Sequence, residues 1–306
     1  MRSTQAVASW PPRARGVWTV LPLLLQAFAC WTWWNYLESR VAAGCLVVKI
    51  NFDETSLQIF QGGTKGQVFD KQAVQRVSLS ARRQAVTYIS FVCDCVDAFG
   101  LMPQVLVANE RVLPARQVAA VEAALPHQFT VVRQRSGWNN ADLTADILGR
   151  LAQRLRAWDP RVQPILLMDA ARLHLHKKVL SRCAREHVWP IIIPPRHTFL
   201  LQPLDVDGFA AFDLQLKRDY QRAGTMKPRG EMSIVDFARC VGTAFETSLR
   251  HRDWNKIFTR VGFGRQQQNL KDCLREAIGV GDVNLPAGKC ASLSEGRLSL
   301  LWDYCV

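Results

Sequence analysis

The pattern of apolar positions predicts a mixed sheet with helices from residue 45 onward. Three runs rich in Val, Ile and Leu and bounded by turn residues are typical of strands in a meander: residues 46–52, 86–92 and 104–108. Two later runs, 164–168 and 188–193, are continuously apolar and are separated by a helical segment at about 177–186. Such runs indicate parallel strands that are buried on both faces and joined by a crossover helix.

One amphipathic helix is predicted between these two groups of strands. Asn139 or Asn140 can cap its first turn, and the Asp-Pro pair at 159–160 ends it. Its apolar residues recur at helical spacing: Leu143, Ile147, Leu148, Leu151 and Leu155. The helix is therefore expected to cover one face of the sheet.

A second helix, predicted at about 204–221, decides which way two acidic residues point. The helical step of about 100° per residue places Asp205 on one stripe with three apolar residues, namely Phe209, Phe212 and Leu216. Asp205 is therefore expected to face the sheet. Asp207 would point to nearly the opposite side, as a solvated first-turn or capping residue.

The N-terminal segment differs in composition from the rest of the chain. Five of the ten tryptophans fall in the first 34 residues, alongside an apolar run at 17–34. Two arginines precede this run, so it resembles a secretory signal or a short membrane anchor, although Pro22 and Gln26 interrupt it. The other interpretation is a buried leader that is not part of the catalytic core. Residues 1–44 are therefore predicted to be a leader, either a targeting segment or a buried one.

Net charge indicates the class of partner, and cysteine spacing indicates the kind of cellular compartment. The chain has 39 Lys and Arg against 26 Asp and Glu, a net charge of +13. This surplus favours polyanionic partners, with nucleic acid ahead of an anionic membrane surface, while an ordinary solvated basic surface stays open. The nine cysteines show no paired CxxC spacing, which argues against a structural zinc site and for a reduced compartment.

Three aspartates are the main candidates for chemistry. Asp53 and Asp169 each follow an apolar run, and Asp205 begins the second helix. A carboxylate beside a buried strand is unfavourable unless it is hydrogen-bonded, ion-paired or bound to a metal. Asp169 is expected at the carboxyl end of a central strand, where ligands collect in open α/β sheets. A divalent metal is the simplest common partner for all three.

The segments around these acids resemble a known family. They read Asn-Phe-Asp-Glu-Thr at 51–55, Met-Asp-Ala-Ala-Arg-Leu-His at 168–174, and Pro-Pro-Arg-His-Thr at 194–198 followed by Gln-Pro-Leu-Asp at 202–205. In order and spacing they are similar to the DDE superfamily endonuclease domain of pogo-type and Tigger-type, mariner-related transposases. The resemblance spans roughly residues 45–265, which leaves 266–306 as a C-terminal extension.

The resemblance implies both a fold and an activity. The fold would be α/β and ribonuclease-H-like, a mixed five-stranded sheet flanked by helices. Asp53, Asp169 and Asp205 would hold Mg²⁺ or Mn²⁺ for DNA cleavage and strand transfer, with DNA as the partner, a homo-oligomer on DNA as an option, and the nucleus as the location. His174 could orient substrate or brace Asp169, or be a structural histidine. Glu54 should point to the other strand face.

Departures from the family pattern keep other functions open. Ala170 and Leu173 stand where the family carries asparagine and serine, and no helix-turn-helix is visible before residue 45. The chain could therefore be a truncated or domesticated copy, or a catalytically inactive nucleic-acid-binding protein. A nuclease of the same fold that does not join ends, and a membrane protein anchored through 17–34, are further alternatives.

Overall fold

The computed structural model describes residues 17–59, 85–226 and 232–278. Its strands are β1 Leu46–Gln58, β2 Ala85–Cys93, β3 Gln104–Asn109, β4 Phe129–Gln134, β5 Val162–Asp169 and β6 Trp189–Ile193. Its α-helices are α1 Val17–Arg40, α2 Val118–Ala123, α3 Ala141–Trp158, α4 Lys177–Arg185, α5 Thr198–Leu201, α6 Phe209–Thr225, α7 Ile234–Phe245, α8 Trp254–Phe258 and α9 Gln267–Ile278. A five-residue π-helical turn, Leu204–Gly208, precedes α6.

The six strands form one mixed sheet in the order β4-β3-β2-β1-β5-β6. Strand β2 pairs antiparallel with β1 and β3, whereas the pairs β3–β4, β1–β5 and β5–β6 are parallel. Five strands therefore run in the same direction and only β2 runs against them. Their carboxyl ends meet at one edge of the sheet, which we call the carboxyl edge.

The expected α/β class, a mixed sheet flanked by helices, is confirmed, but the sheet has six strands instead of five. Strand β4 was missed because it lies at the edge of the sheet and is only partly buried, so its sequence has no continuous apolar run. Strand β1 extends to Gln58 instead of ending at Phe52. Asp53 consequently lies inside the strand, opposite Ser90, and does not follow it.

The predicted helices are confirmed at both faces of the sheet. Helix α3 begins after Asn140, whose side chain accepts a hydrogen bond from the backbone N–H of Leu143 at 3.0 Å. Helix α6 lies over one face, where Phe212 and Tyr88 approach to 5.0 Å between ring centroids. Strand residues alternate between faces, so the stacked rings of Phe52 and Phe91, 4.9 Å apart, lie on the face opposite Tyr88.

Helix α1 packs against the same core as the sheet. The Trp34 ring is buried and lies edge-on to Phe263, with 6.3 Å between centroids. The indole N–H of Trp33 donates to the backbone carbonyl of Pro190 in β6 at 3.4 Å. The ammonium group of Lys49 in β1 lies 5.3 Å from the centre of the Trp34 ring. These contacts account for much of the apolar character that resembled a targeting segment.

Helix α9 also contributes to the core, through Leu270 and Leu274. The boundaries of the predicted domains, 1–44, 45–265 and 266–306, stay predictions. Residues 1–16 and 279–306, which belong to the predicted leader and C-terminal extension, lie outside the described part of the chain. Within the described ranges, no helix has both the length and the apolarity needed to cross a bilayer.

Candidate active site

The three aspartates singled out from the sequence converge at the carboxyl edge. Asp169 is the last residue of β5. Strands β1 and β5 pair in parallel up to Asn51 and Leu167, so Asp53 and Asp169, two residues further along each strand, reach this edge on neighbouring strands. Asp205 comes from the π-helical turn before α6, and its carboxyl group is hydrogen-bonded to that of Asp53.

The proximity of these carboxyl groups changes their affinity for protons. Burial, followed by the charge of Asp205, raises the pKa of Asp53 to about 8, and the charge of Asp169 adds to the effect. Partial removal of its carboxyl group from water also raises the pKa of Asp205, and the charge of Asp169 acts in the same direction. Two carboxyl groups in contact cannot both ionise easily, so the pair formed by Asp53 and Asp205 holds a proton at neutral pH. A cation can replace that proton.

His174 fixes the third acid. Its Nδ1 lies 2.5 Å from Oδ1 of Asp169 and its Nε2 lies 3.3 Å from Oε1 of Glu54. Burial lowers the pKa of His174, but the hydrogen bonds and charges of the two acids outweigh burial and raise the pKa to about 10. Burial likewise opposes ionisation of Asp169, yet the bond to His174 leaves its pKa lowered. Protonated His174 therefore keeps Asp169 charged and oriented.

Glu54 lies on the strand face opposite Asp53, as strand alternation predicts. Besides His174, its carboxylate accepts a hydrogen bond from the side-chain amide of Asn139, just before α3. The ring of Phe52 closes the other side of His174, with 4.6 Å between ring centroids. Glu54 thus serves the site indirectly, by holding His174 in place.

Asn51 is a functional candidate that sequence reasoning missed. Its side chain is fully buried, donates to the backbone carbonyl of Leu167 at 3.1 Å and accepts from the backbone N–H of Leu204 at 2.9 Å. Each of the three acids lies within two residues of Asn51, Leu167 or Leu204, so this one amide ties their three backbone segments together. The available signal was an asparagine inside an otherwise apolar strand, which is unfavourable unless both its polar groups are bonded.

Asp205 and Asp207 have different environments, but their exposures are the reverse of what the helical spacing predicts. Asp205 is hydrogen-bonded to Asp53 and to the side chain of Thr198. Asp205 is nevertheless exposed to solvent, whereas Asp207 is half-buried. Asp207 is bound by two ion pairs, to Arg252 at 2.6 Å and to Arg260 at 3.1 Å. The expectation of a merely solvated Asp207 is therefore wrong.

Sequence comparison identifies the family. The family described as "DDE superfamily endonuclease" matches residues 87–258, more than half of the chain. The chain belongs to this family. The match confirms the resemblance drawn from the three motifs, and it includes Asp169 and Asp205. Strand β1, which carries Asp53, lies before the matched residues in the chain. Membership implies dependence on a divalent cation.

A curated relative matches a shorter stretch of the chain. The "MFS-type transporter clz9" of Cochliobolus lunatus is 25% identical over 101 residues, which are 33% of this chain and 11% of that protein. The match thus spans only a small part of the curated relative.

Solved structures of Mos1 resemble the chain at low identity. The "Mos1 transposase paired-end complex with left transposon end" is 13% identical, with a TM-score of 0.42, and covers 86% of this chain and 68% of that chain. The "Mos1 mariner paired end complex with Mn" has the same identity and coverage and a TM-score of 0.39.

The residues present fit a divalent cation, although they are not yet arranged around one. Within residues 17–59, 85–226 and 232–278, no group of three or more His, Cys, Asp or Glu side chains is placed so that it could hold a metal ion. One oxygen of Asp53 accepts from the Glu54 N–H at 2.8 Å, and one oxygen of Asp169 contacts His174. The donor chemistry still fits, because Asp53, Asp169 and Asp205 offer the carboxylate oxygens that Mg²⁺ and Mn²⁺ prefer. Their mutual repulsion is now relieved by a proton.

Proposed function

We propose that the chain cleaves phosphodiester bonds in DNA with Mg²⁺ or Mn²⁺ held by Asp53, Asp169 and Asp205. The observation that carries the proposal is the position of these three carboxyl groups at one edge of the sheet, with raised proton affinity at Asp53 and Asp205, in a chain of the DDE family. A half-buried carboxyl with a pKa near 8 is unfavourable for a purely structural role and is typical of a functional site.

Each residue of the site has a distinct task. Asp53, Asp169 and Asp205 would hold the cations, and His174 orients Asp169 and keeps it ionised. Asn51 sets the spacing of the backbone segments that carry the acids. The chemistry supplied by bound divalent cations is activation of the attacking water or hydroxyl and neutralisation of charge on the leaving oxygen.

The wider reaction follows from the family resemblance. After hydrolysis nicks one DNA strand, the freed 3′-hydroxyl would attack a second phosphodiester bond by in-line displacement, forming one bond as another breaks. DNA as partner is supported by the net charge of +13. Self-association on DNA and a nuclear location belong to the same proposal.

The test is nicking of supercoiled plasmid by the whole chain in Mg²⁺, in Mn²⁺ or in EDTA. The wild type is expected to convert plasmid to open circles only with a cation. Replacing Asp53, Asp169 or Asp205 by Asn should reduce the rate by more than the ~10–100-fold typical of losing an outer partner of a metal ligand. The matched control is Asp213→Asn, an exposed acid on α6 that pairs with Lys217. If the three active-site variants nick like the wild type, the catalytic assignment is wrong.

A second candidate is a nucleic-acid-binding protein of the same fold without catalysis. It is favoured by Ala170 and Leu173, which place no polar side chain where the family carries asparagine and serine. Its expected result is tight DNA binding by wild type and Asp169→Asn alike, with no nicking in either cation. A nuclease that does not join ends would nick plasmid but fail to transfer pre-nicked ends to target DNA.

A further inference from the structure

A polar cleft of about 550 Å³ opens at the carboxyl edge, on the side of β3 and β4. Its lining comes from the start of β2 and from the segments that follow β3 and β4. The lining includes Thr87, Asn109, Arg111, Arg135, Gly137 and Trp138. We call it the Trp138 cleft. The site of the three aspartates does not include any of these residues.

The loop that carries Trp138 is held firmly. The hydroxyl of Thr87 donates to the carbonyl of Gly137 at 2.9 Å, and the amide of Asn109 donates to the carbonyl of Arg135 at 2.5 Å. Gly137 has a positive φ of 68°, and a Cβ there would lie 3.0 Å from the backbone nitrogen of Asn109. Only glycine allows this turn to approach β3 so closely. The loop is thus a built structure, not a loose connection.

The Trp138 side chain itself is 62% exposed. A large apolar ring on a firmly held loop has little conformational entropy left to lose on binding, so it is suited to present a flat face to a ligand. Trp158, at the end of α3, is 37% exposed and does not line the cleft.

Two arginines give the Trp138 cleft its charge. The side chains of Arg111 and Arg135 are exposed, and neither forms an ion pair within the described ranges of the chain. Glu110 at the rim is partly neutralised by Arg133, at 3.8 Å. Exposed guanidinium groups beside an aromatic face are the combination that binds single-stranded nucleic acid, because phosphates bind the cations and bases stack on the ring.

The Trp138 cleft lies at the same edge of the sheet as the three acids, but the Thr87 side chain is on the strand face of Glu54, opposite that of Asp53. Thr87 is paired with Ser56, three residues beyond Asp53 on β1. A strand rise of about 3.3 Å and a strand spacing of about 4.8 Å separate the backbones of Thr87 and Asp53 by about 11 Å. That is about three base-pair steps of B-form DNA at about 3.4 Å each. Asn139, next to Trp138, is also hydrogen-bonded to Glu54, which contacts His174.

We propose that the Trp138 cleft binds an unpaired nucleotide a few positions from the cleaved phosphate, with its base stacked on Trp138 and its phosphates bound by Arg111 and Arg135. The inference rests on the proposed function for the identity of the substrate. It adds that the DNA is locally unpaired when bound. A B-form duplex keeps its bases stacked on one another and would leave the face of Trp138 unused.

The experiment compares binding of two probes in EDTA, so that no cleavage occurs. One probe is a blunt duplex, and the other is the same duplex with a short single-stranded overhang containing 2-aminopurine, whose fluorescence falls on stacking. Wild type is expected to bind the overhang probe more tightly and to quench it. Trp138→Ala should weaken overhang binding by about 5- to 150-fold and abolish the quenching, while blunt-duplex affinity changes less than about twofold. Trp138→Phe should retain part of both signals.

Two controls separate stacking from charge and from folding. Trp158→Ala is expected to match the wild type with both probes. Arg111→Ala and Arg135→Ala should keep the quenching at low salt, and each should reduce the slope of log affinity against log salt by about 0.7 on the overhang probe. Melting temperatures of all variants check that the fold is intact.

The outcomes distinguish this inference from the proposed function. If Trp138→Ala binds and quenches the overhang probe like the wild type, the cleft proposal is overturned while metal-dependent nicking is unaffected. If Trp138→Ala loses the quenching but Asp169→Asn still nicks like the wild type, the cleft is supported and the catalytic assignment is overturned. If the wild type binds neither probe in EDTA but nicks plasmid in Mg²⁺, the cleft proposal is overturned and the proposed function stands.

Discussion

Replacing Asn51 by leucine tests whether one buried amide holds the three acids in place. Leucine has the same number and branching of side-chain heavy atoms as asparagine, so the variant removes hydrogen bonds without creating a large cavity. The N–H of Leu204 loses its partner at 2.9 Å, and the carbonyl of Leu167 loses a donor at 3.1 Å. An orphaned buried N–H costs about 1–3 kcal/mol, and a lost hydrogen bond about 0.5–1.5 kcal/mol. The free energy of unfolding should therefore fall by about 2–4 kcal/mol.

The effect of Asn51→Leu on nicking should exceed its effect on folding. The acids lie one or two residues from the segments that Asn51 joins, and a displacement of about 1 Å at a reacting centre reduces the rate by about 100-fold. The assays are urea unfolding and plasmid nicking at saturating Mg²⁺, well below the melting temperature. The matched control is Leu148→Ala in α3, which is also fully buried and should lose about 2–5 kcal/mol.

Leu148→Ala should lower stability to a similar extent and leave the nicking rate of the folded protein nearly unchanged. The reasoning about Asn51 is refuted if the leucine variant is destabilised but nicks within about threefold of the wild type. It is refuted equally if both variants lose activity in proportion to their stability, because the loss would then come from unfolding and not from displaced acids.

Three further predictions follow from the same contacts. Because the pKa of Asp53 is raised to about 8, protonated Asp53 contributes to stability in full below about pH 4, and this contribution is lost as the pH rises through 8. Asp53→Asn should remove this pH dependence of stability in melting curves recorded in EDTA. His174→Ala should reduce nicking by about 10–100-fold, since Asp169 loses the partner that orients it, and a nicking assay showing no loss would contradict that role. Lys49→Met should lower the free energy of unfolding by about 3–5 kcal/mol because the buried carboxylate of Asp94 loses its ion-pair partner. The second substitution Asp94→Asn should restore part of this stability. A urea titration in which the double variant is no more stable than Lys49→Met would exclude the explanation.

Much of the sheet and both key helices could be predicted from sequence because their patterns are local. Continuous apolar runs predicted β5 and β6, and helical spacing predicted α3 and α6. Strand β4 was missed because an edge strand is not covered on all sides and needs no continuous apolar run. The burial of α1 was left open because an apolar stretch rich in tryptophan has the same composition in a membrane and in a protein core.

The acids of the candidate site were easier to find than the residues that support them. Asp53, Asp169 and Asp205 stand out because each is charged beside an apolar segment. Asn51 is joined to Leu204 across 153 residues of chain, and sequence spacing gives no sign of such a bond. The Trp138 cleft was missed for a similar reason, since it forms only where loops from three separate strands meet.

Helix α1 has a consequence for how the chain behaves when it is shortened. Strand β6 is the outermost strand on its side of the sheet, and α1 packs against it through the bond from Trp33 to Pro190. An uncovered outer strand invites pairing with a neighbouring chain. A shortened chain that starts at residue 45 would expose this outer strand and the apolar surface beneath Trp34, and we expect it to self-aggregate in concentrated solution.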